Sequence, residues 1–383
     1  MGARAEIVVG LGFGDEGKGA AVDYLCTRGA RPADRVVRFN GGGQAAHTVV
    51  AGPLKHTFST FASGTLAGVP GWVGPRCTFA PGPAAAEWEA LRSLGLVPRL
   101  SVSEDALLTT PLHVAANLAR ERARGDGAHG TTGTGFGETI GAAEALGDAG
   151  LPVLRAGDLG SRERLVDGLE ALRDHLLAQG LLPVLPGADE LARLADRLRG
   201  SMAAMALGGG AAGAAAGGVD VLPSARLLEE LSRGHTVFEG AQGLGLDENL
   251  GTQPHTTWST TTPAPARRLA AAAGVEDVRA LGCLRTYSTR HGAGPLPGEG
   301  LLPFEPEEPD NPSDGVQGAF RTGAHDPEVI QWALRATHVD ALCVSHTDVF
   351  DSFVTTRGPL ALDAFAPLEC VAAGPARGDR LAP

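Results

Sequence analysis

The stretch "EIVVGLGFGDEGKGAAVDYLCTRG", residues 6–29, joins an apolar run to a glycine-rich turn and then to a helical pattern. The apolar run ends in glycine, which is typical of a buried parallel strand. The segment after Lys18 closes at Gly29 and predicts a helix, with apolar residues to bury at Ala20, Ala21, Val22 and Leu25. This order predicts a doubly wound α/β fold: a large, mostly parallel central sheet flanked by helices, with ligands beyond the carboxyl ends of the strands.

The turn itself resembles a phosphate-binding loop. Residues 12–18 fit the pattern G-x-x-x-x-G-K, with Lys18 in the last position. A Ser or Thr hydroxyl that holds Mg²⁺ normally follows, whereas this chain has Gly19. The loop also contains Asp15 and Glu16, although carboxylates repel an incoming phosphate. A bare glycine-rich turn between strand and helix is the alternative interpretation.

Composition predicts a soluble globular protein of 383 residues with a net charge of −12, which argues against a nucleic-acid partner. No apolar run approaches the roughly 18 residues of a membrane helix. The first residues lack a signal-peptide pattern, so we expect a cytoplasmic location. Five scattered cysteines indicate neither zinc nor disulfides, but buried thiols. Only Lys18 and Lys55 among the 32 basic residues are lysines, which argues that Lys18 has a role in the loop.

Other segments have the periodicities of strands and helices. Strands are predicted within residues 34–50, where the strand enters a second glycine-rich turn, and within 235–247 and 340–351. Helices are predicted for 104–124 and, from the spacing of its apolar residues, for 161–181.

Two segments lack such periodicity. The Ala/Gly-rich segment 202–218 is a pliant linker or a weak helix. The acidic, Pro-rich segment 304–315 predicts a loop. No internal repeat is visible, and residues 1–383 are expected to form a single domain.

A set of polar, glycine-rich motifs occurs in a fixed order along nearly the whole chain. The motifs are "GFGDEGKG" (12–19), "FNGGGQAAHT" (39–48), "HGTTGTGFGE" (129–138), "FEGAQG" (238–243), "LDENLGTQPHTTWSTTT" (246–262), "RTYSTRHGAGPLPGE" (285–299), "RTG" (321–323), "SHTDVFD" (345–351) and "AAGP" (372–375). Any one of them is weak, but the ordered set resembles adenylosuccinate synthetase, as a shortened and divergent member. The resemblance implies a homodimeric ligase of purine biosynthesis that condenses IMP with L-aspartate, using GTP and Mg²⁺.

The resemblance also implies roles for the loop residues. Before an amine can displace it, the 6-oxygen of IMP must be phosphorylated, and the purine N1 proton must then pass to a base. Asp15 matches that base and also a ligand of Mg²⁺, together with the main-chain carbonyl of Ala46. His47 matches the general acid, and Lys18 the clamp on the nucleotide phosphates. Because a carboxylate and a carbonyl hold the metal, Gly19 needs no hydroxyl.

Further positions match substrate contacts. Those for GTP are Gly14, Glu16, Gly17, Lys18, Gly19, Ala20, His346, Thr347, Asp348, Ala373 and Gly374. Those for IMP are Asp15, Gln44, Ala45, Ala46, His47, Thr132, Gln242 and Thr257. Hydroxyl and amide groups suit a phosphate or a ribose, although ordinary turn capping also explains Thr and Gln. The carboxylate of Asp348 favours guanine over adenine; a helix N-cap is the alternative, and ATP stays open as the donor.

The segment expected to bind the second substrate, within residues 304–323, departs from the family. Gly318 and Phe320 stand where two arginines are expected, and Phe cannot replace a bidentate contact between Arg and a carboxylate. Arg290 replaces them, or the amine differs, or the alignment of this loop is displaced. The second-substrate positions are Val316, Gln317, Gly318 and Arg321.

Smaller departures concern the nucleotides. Gln44 replaces an asparagine, and Ala46 replaces a glycine, which a backbone ligand tolerates if φ is negative. His346 replaces a base-stacking lysine. An arginine that crosses the dimer to the IMP phosphate has no clear counterpart, and Arg155 is the candidate. The rival interpretations are an enzyme with another amine or nucleobase, a nucleotide-binding regulator without catalysis, and a GTPase switch, which Gly19 disfavours.

Overall fold

The computed structural model describes residues 2–29, 32–206, 217–308, 311 and 317–382. In chain order the strands are β1 (Arg4–Gly10), β2 (Arg35–Arg38), β3 (His47–Ala51), β4 (Leu54–Phe58), β5 (Gly71–Val73), β6 (Thr78–Phe79), β7 (Arg99–Ser103), β8 (Leu107–Leu108), β9 (Gly218–Leu222), β10 (His235–Glu239), β11 (Asp277–Arg285), β12 (Ser288–His291), β13 (Phe320–Gly323), β14 (Ala341–Ser345), β15 (Phe353–Thr355), β16 (Gly358–Leu360), β17 (Leu368–Ala372) and β18 (Arg380–Leu381).

Ten of these strands form one central sheet in the order β18-β17-β14-β11-β1-β10-β2-β5-β7-β9. Every neighbouring pair is parallel except β17 and β18 at one edge. The predicted α/β fold with a large, mostly parallel sheet is therefore confirmed.

Helices cover both faces of this sheet. They are α1 (Lys18–Thr27), α2 (Pro81–Ser93), α3 (Pro111–Arg124), α4 (Phe136–Asp148), α5 (Arg162–Ala178), α6 (Ala188–Met205), α7 (Ser224–Leu231), α8 (Ala264–Ala272) and α9 (Pro327–Thr337). No helix in the described ranges is long and apolar enough to cross a membrane.

The central strand β1 explains why the sequence begins with an apolar run. Ile7 and Val9 belong to the hydrophobic cluster that contains residues of α7, α8 and α9. Val8, on the opposite face, packs in the cluster with Val22 and Leu25 of α1. Successive side chains of a strand point to opposite faces, so a strand covered on both faces is apolar throughout.

Most predicted elements are confirmed, with one correction. Strands lie where residues 34–50, 235–247 and 340–351 predicted them, and α5 occupies most of 161–181. The helix predicted for 104–124 is wrong at its start, because α3 begins only at Pro111. The first N–H group of a helix has no partner within the helix. A proline, which has no N–H group, therefore loses no hydrogen bond at that position and favours a helix start there.

The remaining expectations concern the low-complexity segment and the cysteines. Residues 202–205 complete α6, and Gly218 opens β9, whereas 207–216 lie outside the described residues. All five cysteines are buried and free, as predicted.

The parallel arrangement brings distant loops to one edge of the sheet. The loops that follow β1, β2, β10, β11 and β14 all leave the carboxyl ends of adjacent strands. In open α/β sheets this edge is where ligands bind.

Candidate active site

A cleft of about 1680 Å³ lies along the loops at this edge. Most of the predicted site residues line it, namely Gly14, Asp15, Glu16, Gly17, Lys18, Gly19, Ala20, Gln44, Ala45, Ala46, His47, Thr132, Gln242, Thr257, Gln317, His346, Asp348 and Gly374. Four predicted residues are not part of its lining: Thr347, Ala373, Gly318 and Arg321. Val316 lies outside the described residues.

The glycine-rich loop is organised around the carboxylate of Glu16. One of its oxygens accepts hydrogen bonds from the amides of Gly12 and Gly14, at 2.8 and 3.0 Å. The other lies 2.8 Å from the Lys18 ammonium, and both side chains are buried. Burial opposes the charge of Lys18, but Glu16 outweighs it and raises the Lys18 pKa. Glu16 is therefore an internal counter-ion that shapes the loop, and the Gly14 amide and Lys18 are already engaged by it.

Asp15 points the other way, into the cleft. Its backbone is left-handed, with φ of 61°, a conformation that Asp tolerates better than most residues. One carboxylate oxygen lies 3.1 Å from Nδ1 of His291, and Nε of Arg285 donates to the Asp15 carbonyl. Burial alone would raise the pKa of Asp15, but the His291 hydrogen bond and the charges of Arg285 and Lys18 lower it. Asp15 is therefore an ionised carboxylate at neutral pH.

His47, at the start of β3, packs against the N-terminus of α1. A Cβ atom at Gly19 would lie 2.8 Å from the Cβ of His47 and 3.0 Å from Oγ of Ser63. Real Cβ atoms do not approach that closely, so any side chain at position 19 would push His47 away. The missing hydroxyl after Lys18 thus has a packing cause.

Glu239, the last residue of β10, orients His47. Its carboxylate lies 2.6 Å from Nδ1 of His47, and it also accepts a hydrogen bond from the Ser63 amide at 3.0 Å. Burial lowers the pKa of His47, and Glu239 opposes this effect in part. Since Nδ1 is held by the carboxylate, Nε2 is the nitrogen available to a ligand.

Two glutamines of the cleft have polar atoms that are buried without a partner in the described part of the chain. They are both amide atoms of Gln44 and Oε1 of Gln242. Buried polar groups are nearly always hydrogen-bonded, so unpaired ones in a cleft indicate the place of a ligand. Gln242 has a positive φ of 58°. Ala46 does not have a positive φ, which is the condition under which an alanine at that position can offer its main-chain carbonyl as a ligand.

The arginines near the second-substrate loop are all engaged within the protein. Arg285 pairs with Glu308. Arg290 is buried and donates to three main-chain carbonyls at 3.0 Å each. Arg321 pairs with Glu299 at 2.7 Å and donates to two further carbonyls. The structure does not support Arg290 as a replacement that moves to the second substrate.

The opposite end of the cleft contains the predicted nucleobase residues. His346 has a φ of 65°, and burial, followed by the charge of Arg285, lowers its pKa to about 3. Its ring therefore stays neutral, unlike a lysine. Asp348 is exposed in the turn after β14 and no described helix begins there, so the N-cap alternative is wrong. The side-chain hydroxyl of Thr347 donates a hydrogen bond to the Ala372 carbonyl.

Three other residues complete this picture. Arg155 is exposed and donates to the Asp105 carbonyl, away from the cleft lining. Sequence analysis missed Glu239, although an acid at the end of an apolar strand in "FEGAQG" was a usable signal. It also missed His291 as a site residue, although His291 lies within the motif at 285–299 that the sequence analysis singled out.

Comparisons with known proteins agree with this architecture. The adenylosuccinate synthetase family model matches residues 7–205 and 217–357. An adenylosuccinate synthetase of Thioalkalivibrio sulfidiphilus is 33% identical over 370 residues, covering 92% of this chain and 79% of that protein. Its counterpart in Burkholderia thailandensis is 33% identical over 381 residues, with coverage of 91% and 77%.

Two solved structures share the fold. The fully ligated adenylosuccinate synthetase of Plasmodium falciparum has a TM-score of 0.73 at 18% identity, covering 99% of both chains. The cyanophage S-2L succinoaminodeoxyadenylate synthetase, bound to dGMP and to dATP as an energy donor, has a TM-score of 0.66 at 20% identity, covering 99% of this chain and 95% of that one. By its family model and by its 33% identity to these bacterial relatives, the chain belongs to the adenylosuccinate synthetase family.

Proposed function

We propose that this protein is a GTP-dependent ligase that phosphorylates the 6-oxygen of IMP and then displaces the phosphate with the amine of L-aspartate, forming adenylosuccinate. The observation that best supports this function is that Asp15 and His47 line the same cleft. One carboxylate oxygen of Asp15 contacts His291, and Nδ1 of His47 contacts Glu239. The other oxygen of Asp15 and Nε2 of His47 are available to a substrate. A base and an acid on the same cleft are what the phosphorylation needs.

The two residues divide the proton transfers. Asp15 accepts the N1 proton of the purine, which lets the 6-oxygen attack the γ-phosphorus, and its lowered pKa keeps it ionised for that step. His47 presents Nε2 to the transferred oxygen, while Glu239 holds the ring through Nδ1. Nε2 donates a hydrogen bond to that oxygen in the imidazolium form, which the negative charge of a bound phosphate favours over the neutral ring. The amides at the start of α1, which have no partner within the helix, bind phosphate oxygens. Lys18, which is paired with Glu16 in the structure, is the proposed clamp on the nucleotide phosphates.

The residues present fit a magnesium ion. Mg²⁺ in nucleotide sites is held by one or two carboxylates and by the substrate phosphates, rather than by a cage of protein ligands. Asp15 supplies a carboxylate and Ala46 a main-chain carbonyl, and the described ranges contain no cluster of three or more His, Cys, Asp or Glu side chains suited to a metal. When bound, the ion neutralises phosphate charge.

A substitution of Asp15 tests the proposal. Asp15→Asn removes the base but keeps the size of the side chain, so we expect kcat to fall at least about 100-fold. Product formation from IMP, GTP, Mg²⁺ and L-aspartate is the measurement, and IMP binding should persist. Asp148→Asn, at the exposed end of α4, is the matched control. Turnover by Asp15→Asn at the parent rate would contradict the proposal.

A second candidate function keeps the phosphorylation but uses another amine. It is favoured by the engagement of Arg285, Arg290 and Arg321 within the protein, which leaves none of them free to bind a dicarboxylate. A panel of amino acids with IMP and GTP separates the two candidates. A product with another amine, and none with aspartate, would select the second. Replacing GTP by ATP in the same assay tests the expected role of Asp348.

We infer further that the protein is a cytoplasmic homodimer, that each chain is a single domain, and that neither nucleic acid nor a membrane is its partner. Membership of the family supports the dimer. The central sheet supports the single domain, because it takes strands from β1 to β18. Light scattering at several protein concentrations measures the oligomeric state, and a monomer throughout would refute the dimer.

A further inference from the structure

A second cavity, of about 650 Å³, lies at the edge of the central sheet opposite the cleft, where the parallel strands begin. Arg4 is the first residue of β1, His235 is the first of β10, and Arg279 lies near the start of β11. Arg28, which follows α1, also lines the cavity. Its volume is that of a small-molecule pocket. None of these residues has a role in the function proposed above.

The lining of this cavity is basic. It contains the side chains of Arg4, Arg28, Arg279 and His235, and no acidic side chain from the described part of the chain. The three arginines are 44%, 24% and 37% exposed, so a ligand can reach all of them. The dipole at the carboxyl end of α1 opposes an anion here, but Arg28 caps that end and offsets the effect. In a chain of net charge −12, this concentration of positive charge favours a bound anion.

Two carboxylates orient the arginines without lining the cavity. Glu6 is fully buried and contacts Arg4 and Arg28 at 2.6 Å each. Glu369, also buried, pairs with Arg28 and Arg279. Three guanidinium groups therefore share two carboxylates, and one positive charge is left over. Side chains that are already held in place lose little conformational freedom when a ligand binds.

Two of the arginines also keep hydrogen-bond donors for a ligand. A guanidinium group carries five N–H donors in a rigid, planar fork. In the described part of the chain, Arg4 and Arg279 each bind a carboxylate through one terminal nitrogen. Their other N–H groups are left for another acceptor. An ion-pair network that served stability alone would need neither a cavity nor these donors beside it.

The apolar part of the lining indicates what the anion is attached to. Tyr24 and Leu25 of α1 line the same cavity, and the Arg28 guanidinium lies 5.5 Å from the centre of the Tyr24 ring. A water molecule takes up about 30 Å³, so the cavity holds much more than a single ion. An anionic group on the arginines leaves room for an organic group against Tyr24 and Leu25.

We propose that Arg4, Arg28 and Arg279 bind the phosphate group of a small organic phosphate at this second site. Guanidinium groups match phosphate oxygens with paired, charge-assisted hydrogen bonds. The proposal does not depend on the function proposed above, because the cavity and the cleft lie at opposite edges of the sheet. Free inorganic phosphate has the same chemistry, and the experiments below separate the two ligands.

Crystals soaked in tungstate test the site directly. Tungstate is a tetrahedral oxyanion with a strong anomalous signal, and we expect a peak between Arg4, Arg28 and Arg279. No peak among these arginines would overturn the site, whether or not the glycine-rich loop also takes up the ion. This experiment uses the parent protein, so it stands even if a variant proves unstable.

Calorimetry then measures affinity in solution. Inorganic phosphate and phenyl phosphate are titrated into the parent protein and into a variant with both Arg4→Gln and Arg279→Gln, which keeps Arg28 on the two buried carboxylates. Arg226→Gln is the matched control, since Arg226 is similarly exposed, pairs with Glu229 and lines neither the cleft nor this cavity. We expect the double variant to bind phenyl phosphate at least about tenfold more weakly, and the control to bind it as the parent does.

The two probes identify the ligand. Anions bind the glycine-rich loop alike in all these proteins, so the difference between parent and double variant reports on the cavity. A larger difference for phenyl phosphate than for inorganic phosphate supports an organic phosphate packed against Tyr24 and Leu25. Equal differences would refute the organic ligand in favour of free phosphate. No difference for either probe, in a double variant whose thermal denaturation matches the parent, would overturn the site.

Discussion

Gly19 illustrates how one absent side chain sets the geometry of the cleft. In a phosphate loop that holds Mg²⁺ through a hydroxyl, this position carries Ser or Thr. Here His47 occupies the space, with its Cβ 2.8 Å from the position that a Cβ of residue 19 would take. The same contact brings the imidazole to the start of α1. The loop therefore lacks the side-chain hydroxyl that would hold a metal ion, and a histidine lies beside the phosphate site in its place.

Gly19→Ser tests this packing. The new side chain collides with His47 and Ser63, so we expect a loss of about 1–3 kcal/mol in the free energy of unfolding and a fall in kcat, because His47 moves. Urea denaturation and steady-state assays measure the two effects. Gly82→Ser in α2, where a Cβ meets nothing within 4 Å, is the control. Unchanged stability and activity in Gly19→Ser would show that His47 can move without loss of either, and would contradict the packing argument.

At the level of elements, helices α5 and α6 were predictable to different degrees. The apolar residues of α5 recur at helical spacing, and Leu165, Leu169, Leu172 and Leu176 are all buried. The end of α6 was ambiguous because Ala and Gly dominate from residue 202 onward. Each helix also contains one glycine, and packing distinguishes these two glycines in a way that the sequence does not.

Alanine substitutions at those two glycines should affect stability differently. A Cβ at Gly168 in α5 would lie 2.5 Å from Cδ2 of buried Leu154, whereas at exposed Gly200 in α6 it meets nothing within 4 Å. Gly200→Ala should stabilise the protein by up to about 1 kcal/mol through helix propensity. Gly168→Ala should gain nothing or destabilise it. Thermal denaturation of the two variants is the measurement, and equal stabilisation by both would contradict the packing argument.

At the scale of the whole molecule, Glu6 links the central strand to its neighbours. This carboxylate in β1 is fully buried and contacts Arg28 at 2.6 Å and His235 at 3.0 Å. Burial alone would raise its pKa, but the hydrogen bond of His235 and the charges of Arg28 and Arg4 lower the pKa from 4.5 to about 2. Folding therefore favours the ionised form.

Glu6 should make stability depend on pH in a defined direction. Because the folded pKa lies below the unfolded one, its contribution of about 3 kcal/mol is complete above pH 4.5 and is lost as pH falls towards 2. Glu6→Gln should thus destabilise the protein at pH 7 and progressively less between pH 4.5 and 3, as urea denaturation would measure. Glu89→Gln, exposed on α2, is the control. A stability loss that is constant with pH would contradict this account.

The sequence by itself determined the fold class and the position of the cleft. Apolar runs, glycine turns and helical spacing are local properties, and they identified four of the ten strands of the central sheet, β1, β2, β10 and β14. Parallel strands end at one edge, so the motifs after β1, β2 and β10 had to meet there. Asp15, His47 and Gln242 were predicted as site residues from the resemblance of their motifs to a family, and their roles stay predictions.

Only the tertiary structure decided how those residues are partnered. His291 reaches Asp15 across 276 positions of the chain, and Glu239 reaches His47 across 192. Glu16 turns inward to Lys18, and Glu369 meets Arg28. Such contacts depend on the orientation of loops that pack on one another, for which no periodicity exists. Charge and burial act through space, so the protonation of these groups follows from the fold rather than from the order of residues.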